Sequence, residues 1–381
     1  MKIAIICDVL GKPNNGTTIA AYNLIRHLHE QGHEVRVLCC DQDKKGMPGY
    51  TVVPVCNLGK FLNGVLEKNG VAIAKREVSV IDDFIDGVDV VHLLIPMSLA
   101  MATVKAAKKK GIPISASFHC QAENITAHLG VMNCHFINHI VYKYFWRHLY
   151  RYCDVIHYPT QFIRDLFEKE CGHKTTNGYV ISNGVNQEFF DSIGRETERK
   201  NDKFTIVCSG RYSKEKAQHV LIKAVANSKY KDKIRVILAG SGPKEKALKK
   251  LAAKKKVDTV FRFFNRKELI DTLYQADLYV HTAKAEIEAI SCTEAIVCGL
   301  VPVICNSKRS ATKAFALDGN NLFEEGSCKD LTSKINFWYE HPDLIQVYKK
   351  KYFAFGQNFN QHECMKRMEE MLYDAAGQRR A

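Results

Sequence analysis

Twice along this chain, short apolar runs alternate with stretches whose apolar positions recur at helical spacing. Lys2–Cys7 is followed by a polar loop, Gly11-Lys-Pro-Asn-Asn-Gly16, a helical stretch from Thr17 to Gly32, and a second run, Glu34–Cys40. Val88–Leu94, Ile112–Phe118, Val155–Tyr158 and Tyr179–Ile181 continue the series, with the basic segment Lys105–Lys110 closing a helix. Strands separated by helices form parallel sheets covered on both faces, and such strands read as continuous apolar runs. The polar interval Asp191–Lys203 has almost nothing to bury and marks a boundary. Beyond it the alternation restarts with strands at Phe204–Cys208, Arg235–Ala239, Val260–Phe264, Leu278–Val280 and Val301–Ile304, and a helix at Lys244–Lys256. The expectation is an α/β chain of two doubly wound lobes, residues 1–190 and 191–357, facing each other across a cleft. The charged amphipathic tail, 358–381, is free to pack back on the first lobe. Open α/β sheets bind ligands at the carboxyl ends of their strands.

A length of 381 residues supports two domains. With 46% hydrophobic and 25% charged residues, the composition is that of a globular protein. No window supports a spanning helix: the best apolar run, Val90–Val104, contains His92 and Pro96 and falls short of the roughly 20 residues a bilayer requires. The opening Met1–Cys7 segment is too short in apolar residues for a signal peptide and reads as a first strand. Fourteen cysteines include no Cys-x-x-Cys pair, which fits a reduced, cytoplasmic protein with free thiols. A net charge of +14 then calls for an anionic partner: nucleotide phosphates, nucleic acid or an acidic membrane surface.

Four elements carry candidate chemistry. Gly16 opens a helix directly after the first strand, where free backbone N–H groups and the helix dipole suit an anion. Arg211 and Lys216, in Ser209-Gly-Arg-Tyr-Ser-Lys-Glu-Lys216, follow the first strand of the second half; a planar fork and a point charge together suit a diphosphate. Glu286 and Glu294, with Glu288 between them, precede a buried helix end and are placed to accept hydrogen bonds from sugar hydroxyls. His119 lies just past a buried strand, within reach of a hydroxyl or a developing charge.

Other constellations carry less. Asp41-Gln-Asp43 has the spacing of a metal-binding acidic pair but reads as a surface turn. His135 and His139 are at helical spacing without a third ligand, so no metal site is expected. There is no Gly-x-x-x-x-Gly-Lys-Ser/Thr loop and no Gly-x-Ser-x-Gly elbow, which argues against P-loop NTPases and serine hydrolases.

Taken in order, these motifs resemble the retaining GT-B glycosyltransferases of family four over nearly the whole length. Asn15-Gly16 is similar to that family's amino-terminal glycine loop. Tyr158-Pro-Thr-Gln-Phe-Ile-Arg164 and Val180-Ile-Ser-Asn-Gly-Val185 are similar to its interdomain signatures, and Gly210-Arg211 with Lys216 to its diphosphate pair. Ala239-Gly-Ser-Gly-Pro243 and the Glu286–Glu294 spacing complete the series. The resemblance implies two Rossmann-like lobes and no cofactor beyond the nucleotide-sugar donor. It assigns Arg211, Lys216 and the backbone near Gly16 to the diphosphate, and Glu294 to the ribose. Glu286 would contact the transferred sugar, with His119 beside the reacting centre. It also implies retention without a protein nucleophile and without a metal. One departure stands out. Glu288-Ala289 occupies the place of an aromatic-Gly pair; Ala289 keeps a backbone N–H for phosphate, and Glu288 is free to share the role of Glu286.

The acceptor is less marked. Phe136–Tyr152 is aromatic-rich, with Lys143, Arg147 and Arg151 at four-residue spacing, the look of a helix at an anionic membrane interface. A helix packed on the sheet with a snorkelling basic face fits the same residues. The segment around Phe118-His119 resembles diacylglycerol glucosyltransferases within the family. The leading expectation is therefore a cytoplasmic hexosyltransferase, peripheral on the inner face of the cell membrane. It moves glucose from a UDP-sugar to a lipid such as 1,2-diacylglycerol. A soluble glycan or small-molecule acceptor stays open, as does the non-enzyme alternative, a basic nucleic-acid-binding protein, which would show steeply salt-dependent RNA affinity.

Overall fold

The computed structural model describes the chain except residues 9, 12–15, 58, 60–71, 129–130, 192–201 and 378–381. The chain divides into two units: Met1–Ser182 with Glu363–Ala381, and Asn183–His362. The division falls at Ser182, ahead of the polar interval, because Val185 already pairs with Asn360 of the second unit.

The first unit is built on a parallel sheet of β1 (Lys2–Ile6), β2 (Glu34–Cys39), β3 (Tyr50–Val52), β4 (Val90–Leu93), β5 (Ile114–Ser117), β6 (Val155–Tyr158) and β7 (Gly178–Val180). Their spatial order is β3-β2-β1-β4-β5-β6-β7, so the winding reverses between β1 and β4. β4, β5 and β6 are buried at every position, and the polar residues they carry, among them His92, Ser117 and His157, bond to one another inside the sheet. β3 has no fully buried residue and carries no such signal.

The tail forms a helix, Gln361–Ala375, whose residues from Glu363 onward belong to the first unit. Met365, Met368, Met371 and Leu372 enter the same core as Ile3, Ile5, Leu24 and Leu28. Each such side chain contributes about 1.5–3 kcal/mol when fully buried. Between them Glu369, 1% exposed, accepts from His27 Nε2 at 3.1 Å and from His33 Nε2 at 3.0 Å. A buried carboxylate needs such partners, and here they also set the helix's rotation.

The second unit repeats the plan with β8 (Phe204–Ser209), β9 (Ile234–Ala239), β10 (Thr259–Arg262), β11 (Leu278–His281), β13 (Pro302–Asn306) and β15 (Leu322–Glu324), ordered β10-β9-β8-β11-β13-β15. A separate two-stranded piece pairs β12 (Ala285–Glu286) with β14 (Arg309–Ser310). The reversal between β8 and β11 opens the crevice where doubly wound sheets bind ligands.

Both interdomain signatures have a local physical role. Thr160 caps the helix Gln161–Cys171 through the Ile163 N–H, and Arg164 of that helix donates to the carbonyls of Gly178 (2.9 Å) and Thr175 (2.8 Å). Gly184 has φ +74°, and a Cβ there would lie 2.5 Å from Gln361 Cα. Only glycine suits both conditions. Among the described residues, no helix is long and apolar enough to cross a membrane.

Candidate active site

Near the reversal point of the second sheet, two of the predicted residues, Lys216 and Glu286, come into contact. β8 ends at Ser209, and the turn after it carries Gly210 and Arg211. This turn lies backbone to backbone on the loop after β9. The Tyr212 N–H donates to Ser241 O (2.9 Å), and the Lys244 N–H donates to Tyr212 O (3.0 Å). A Cβ on Gly240 would meet the Gly210 carbonyl oxygen at 2.1 Å, and one on Gly242 would meet Tyr212 N and O at 2.7 Å. The glycines of Ala239-Gly-Ser-Gly-Pro243 therefore serve the seating of the Arg211 turn.

Lys216 is brought in by the neighbouring strand. Thr282, directly after β11, donates its hydroxyl to Lys216 O at 2.7 Å, and Lys284 N–H donates to Glu215 O at 2.8 Å. The Lys216 ammonium then pairs with Glu286 Oε1. His281 Nε2, 2% exposed, lies 3.2 Å from that same oxygen, although it lacks hydrogen-bond directionality toward it. Burial would raise the Glu286 carboxyl, but Lys216 and His281 overcome it and hold the group at about 2. Glu286 is thus an anion across the physiological range. Its second oxygen, Oε2, accepts no hydrogen bond among the described residues.

Glu286 stands on β12, not on a helix. Ala289, at φ 66°, turns the chain left-handed, and the helix Ile290–Val297 begins after it. Glu294 therefore sits in the second turn, half-buried. Burial lifts its carboxyl to about 7, with Arg266 pulling weakly the other way. Glu288 does not join Glu286: its buried carboxylate accepts from Asn183. Ala289 is buried beside it.

The first unit brings two further predicted residues together. Thr17 in the opening turn of the helix Gly16–Glu30 donates its hydroxyl to His119 O at 3.3 Å, and Gly16 itself is exposed. Asn15, before it, lies outside the described residues. The His119 ring packs edge-on against His157 at 5.5 Å. Burial, with His157 and His92 adding to it, drives His119 well below the usual histidine range, so the ring is neutral at pH 7. His157 in turn shares Ser117 Oγ (2.9 Å) with His92 (3.1 Å), a polar chain within the sheet.

Two groups were missed by the sequence reading. His281 was signalled by a single polar residue closing the strand Leu278-Tyr-Val-His281. Asp8 stands two residues past the end of β1: fully buried, it accepts from Leu99 N–H (3.1 Å) and Ala74 N–H (3.3 Å), bracing the helix Ser98–Lys110. Asp41, set aside as a metal ligand, accepts from the Leu10 and Gly11 N–H groups at 2.6 and 3.1 Å and braces the loop after β1.

The helix proposed for an interface spans His135–His148 and has two faces. Tyr142 and Phe145 pack inward, with Phe118, Tyr142 and Phe167 forming an aromatic cluster. Phe136 (73% exposed), Ile140 (50%) and Tyr144 (45%) face out beside Lys143 and Arg147.

Two units, each built on a doubly wound parallel sheet, are the fold of the GT-B glycosyltransferases. Residues 14–189 match Glycosyltransferase Family 4 and residues 189–355 match Glycosyl transferases group 1, and the chain belongs to the family 4 glycosyltransferases. HepE of Anabaena, crystallised with UDP-glucose, is 18% identical over 98% of this chain and 100% of its own, with a TM-score of 0.75. Sucrose-phosphate synthase of Thermosynechococcus elongatus is 14% identical over 98% of each chain, with a TM-score of 0.73. The catalytic domain of the cholesterol-α-glucosyltransferase of Helicobacter pylori is 49% identical over 41% of this chain and 99% of that one, with a TM-score of 0.41. Among curated proteins, none matches significantly.

Proposed function

We propose that this chain is a retaining hexosyltransferase that moves glucose from UDP-glucose to a hydroxyl of a membrane lipid such as diacylglycerol, without a metal, at the cytoplasmic face of an anionic membrane. The observation that carries the donor half is the Lys216–Glu286 pair at the reversal point of the second sheet. A cation and a carboxylate already in contact there match the two parts of a nucleotide-sugar: diphosphate and sugar hydroxyls. The choice of UDP-glucose follows the ligand of the Anabaena neighbour.

In this reading Arg211 and Lys216 neutralise the diphosphate as the bond from the anomeric carbon to its oxygen breaks. The acceptor oxygen forms its bond to that carbon from the same side, and its proton leaves with the diphosphate. The protein supplies position and fixed charge instead of a nucleophile. Glu286 receives a sugar hydroxyl on Oε2, Glu294 the ribose, and the Ala289 N–H a phosphate oxygen. The neutral ring of His119 is suited to act as a hydrogen-bonding group and not as a cation. The outward stripe Phe136, Ile140 and Tyr144 with Lys143 and Arg147 supports the lipid acceptor, since apolar rings beside cations suit an anionic headgroup layer.

The test is a screen of nucleotide-sugars with vesicles of neutral lipids bearing one free hydroxyl, in EDTA, comparing wild type with Lys216→Ala and Glu286→Ala. Transfer by wild type alone supports the reading. Full transfer by both variants overturns the site, and transfer only to soluble glycans overturns the lipid acceptor.

A further inference from the structure

Glu288 stands where the resemblance places an aromatic residue, and it is 3% exposed. Leaving a carboxylate in such a place costs several kcal/mol unless it is fully paired. The partner is Asn183: its amide N–H points at both Glu288 oxygens, at 3.1 and 3.2 Å, and its side-chain amide donates to Oε2 at 2.5 Å. Asn183 is itself 6% exposed, and it is the first residue of the second unit.

The residues just after Asn183 are equally constrained. The Val185 N–H donates to Phe359 O at 2.7 Å, and the Gln361 N–H donates to Val185 O at 3.1 Å. The segment that enters the second unit and the segment that leaves it, at His362, are therefore one bonded pair. Glu288 is bonded to the first residue of that pair. On its other side, two residues away, Glu286 holds Lys216, and the next residue, Ala289, makes the left-handed turn that starts the helix Ile290–Val297.

We infer that Glu288 is a positioning residue that ties the donor loop, residues 285–289, to the chain crossover at Asn183–Val185, so that a shift in one is a shift in the other. Asn183 gives the buried carboxylate two donors from one residue, a backbone and a side-chain N–H. The loop's role toward a sugar donor rests on the function proposed above; the tie itself does not.

The experiment uses Glu288→Gln, Asn183→Asp and the two together, read by amide hydrogen exchange without nucleotide and by KM and kcat for UDP-glucose. Asn183→Asp sets carboxylate against carboxylate and should raise exchange both at 183–185 and at 286–290, by about tenfold or more. The double variant restores a carboxylate–amide pair with the roles exchanged, and should return protection to within about threefold of wild type. Donor KM should follow the exchange while kcat changes less. Unchanged exchange at 286–290 in Asn183→Asp, or no recovery in the double variant, would overturn the inference. Should Asn183→Asp fail to fold, Glu288→Ala and Asn183→Ala replace it, and simple additivity of their effects on exchange would count equally against it. If wild type binds no nucleotide-sugar, the proposed function fails while exchange still decides the tie.

Discussion

One carboxylate oxygen, Glu286 Oε1, faces both the Lys216 ammonium and His281 Nε2, while the other has no hydrogen-bond partner among the described residues. Under the function proposed above, the pair is a clamp whose two halves neutralise each other until a nucleotide-sugar separates their tasks. Lys216→Ala removes the proposed diphosphate contact and leaves the buried Glu286 carboxylate beside His281 alone. It should lower kcat/KM for the donor by about 10²–10³-fold, as the loss of one preorganised donor of charge stabilisation does. Lys216→Arg should restore part of it. Steady-state kinetics with UDP-glucose checks this, and calorimetry with UDP should show the same order.

Two carboxylates proposed to bind the donor are pushed in opposite directions, Glu286 to about 2 and Glu294 to about 7. Glu286 is ionised throughout the working range, so the acid limb of activity should belong to Glu294. In the proposed role of Glu294, an ionised carboxylate is the stronger acceptor for the ribose hydroxyls. Affinity for UDP-glucose, whose diphosphate does not titrate near neutrality, should therefore rise from pH 6 to pH 8, and Glu294→Gln should flatten the profile. The linkage to stability has the other sign. Folded Glu294 holds its proton more tightly than the unfolded chain does, so its contribution is present at low pH and is lost as pH rises toward about 7. Thermal unfolding of wild type and Glu294→Gln between pH 5 and pH 8 measures it.

Gly240→Ala places a methyl 2.1 Å from the Gly210 carbonyl oxygen, a contact that only backbone movement relieves. We expect a loss of about 1–3 kcal/mol in stability. Donor binding should fall further than the melting temperature suggests, because the displaced turn carries Arg211. Differential scanning fluorimetry with and without UDP separates the two effects.

Ala289 holds a left-handed conformation at φ 66°, which costs an L-residue roughly 1–2 kcal/mol. Ala289→Gly should relieve it and, after the greater entropy of the unfolded glycine, raise stability by about 0.5–1 kcal/mol. The denaturant midpoint should move up with the slope unchanged.

On the helix His135–His148, Phe136→Ser with Ile140→Ser removes the outward apolar stripe and spares the inward Tyr142 and Phe145. Charge reversal at Lys143, Arg147 and Arg151 removes the cations; each cation near an anionic surface contributes about 1 kcal/mol. Sedimentation with vesicles rich in anionic lipid should show binding lost in both sets. For wild type, binding should weaken with added salt. Equal partitioning of all three proteins would remove the membrane from the proposal.

The fold was legible in the sequence wherever burial leaves a pattern. β1, β4, β8 and β11 lie in the sheet interiors and are covered on both faces, so their largely apolar runs announce them. β3, with no fully buried residue, and the two-residue strands β12 and β14 leave none. The motif residues announced themselves by type: glycine, arginine, lysine and glutamate at strand ends. What those groups do with one another is set by distance, which spacing along the chain does not encode. Lys216 meets Glu286 across 70 residues, Glu288 meets Asn183 across 105, and His33 meets Glu369 across 336. Order along the chain determined which chemistry was present. Packing alone decided which charge faces which, because desolvation and Coulomb attraction act through space and fall off within a few ångströms.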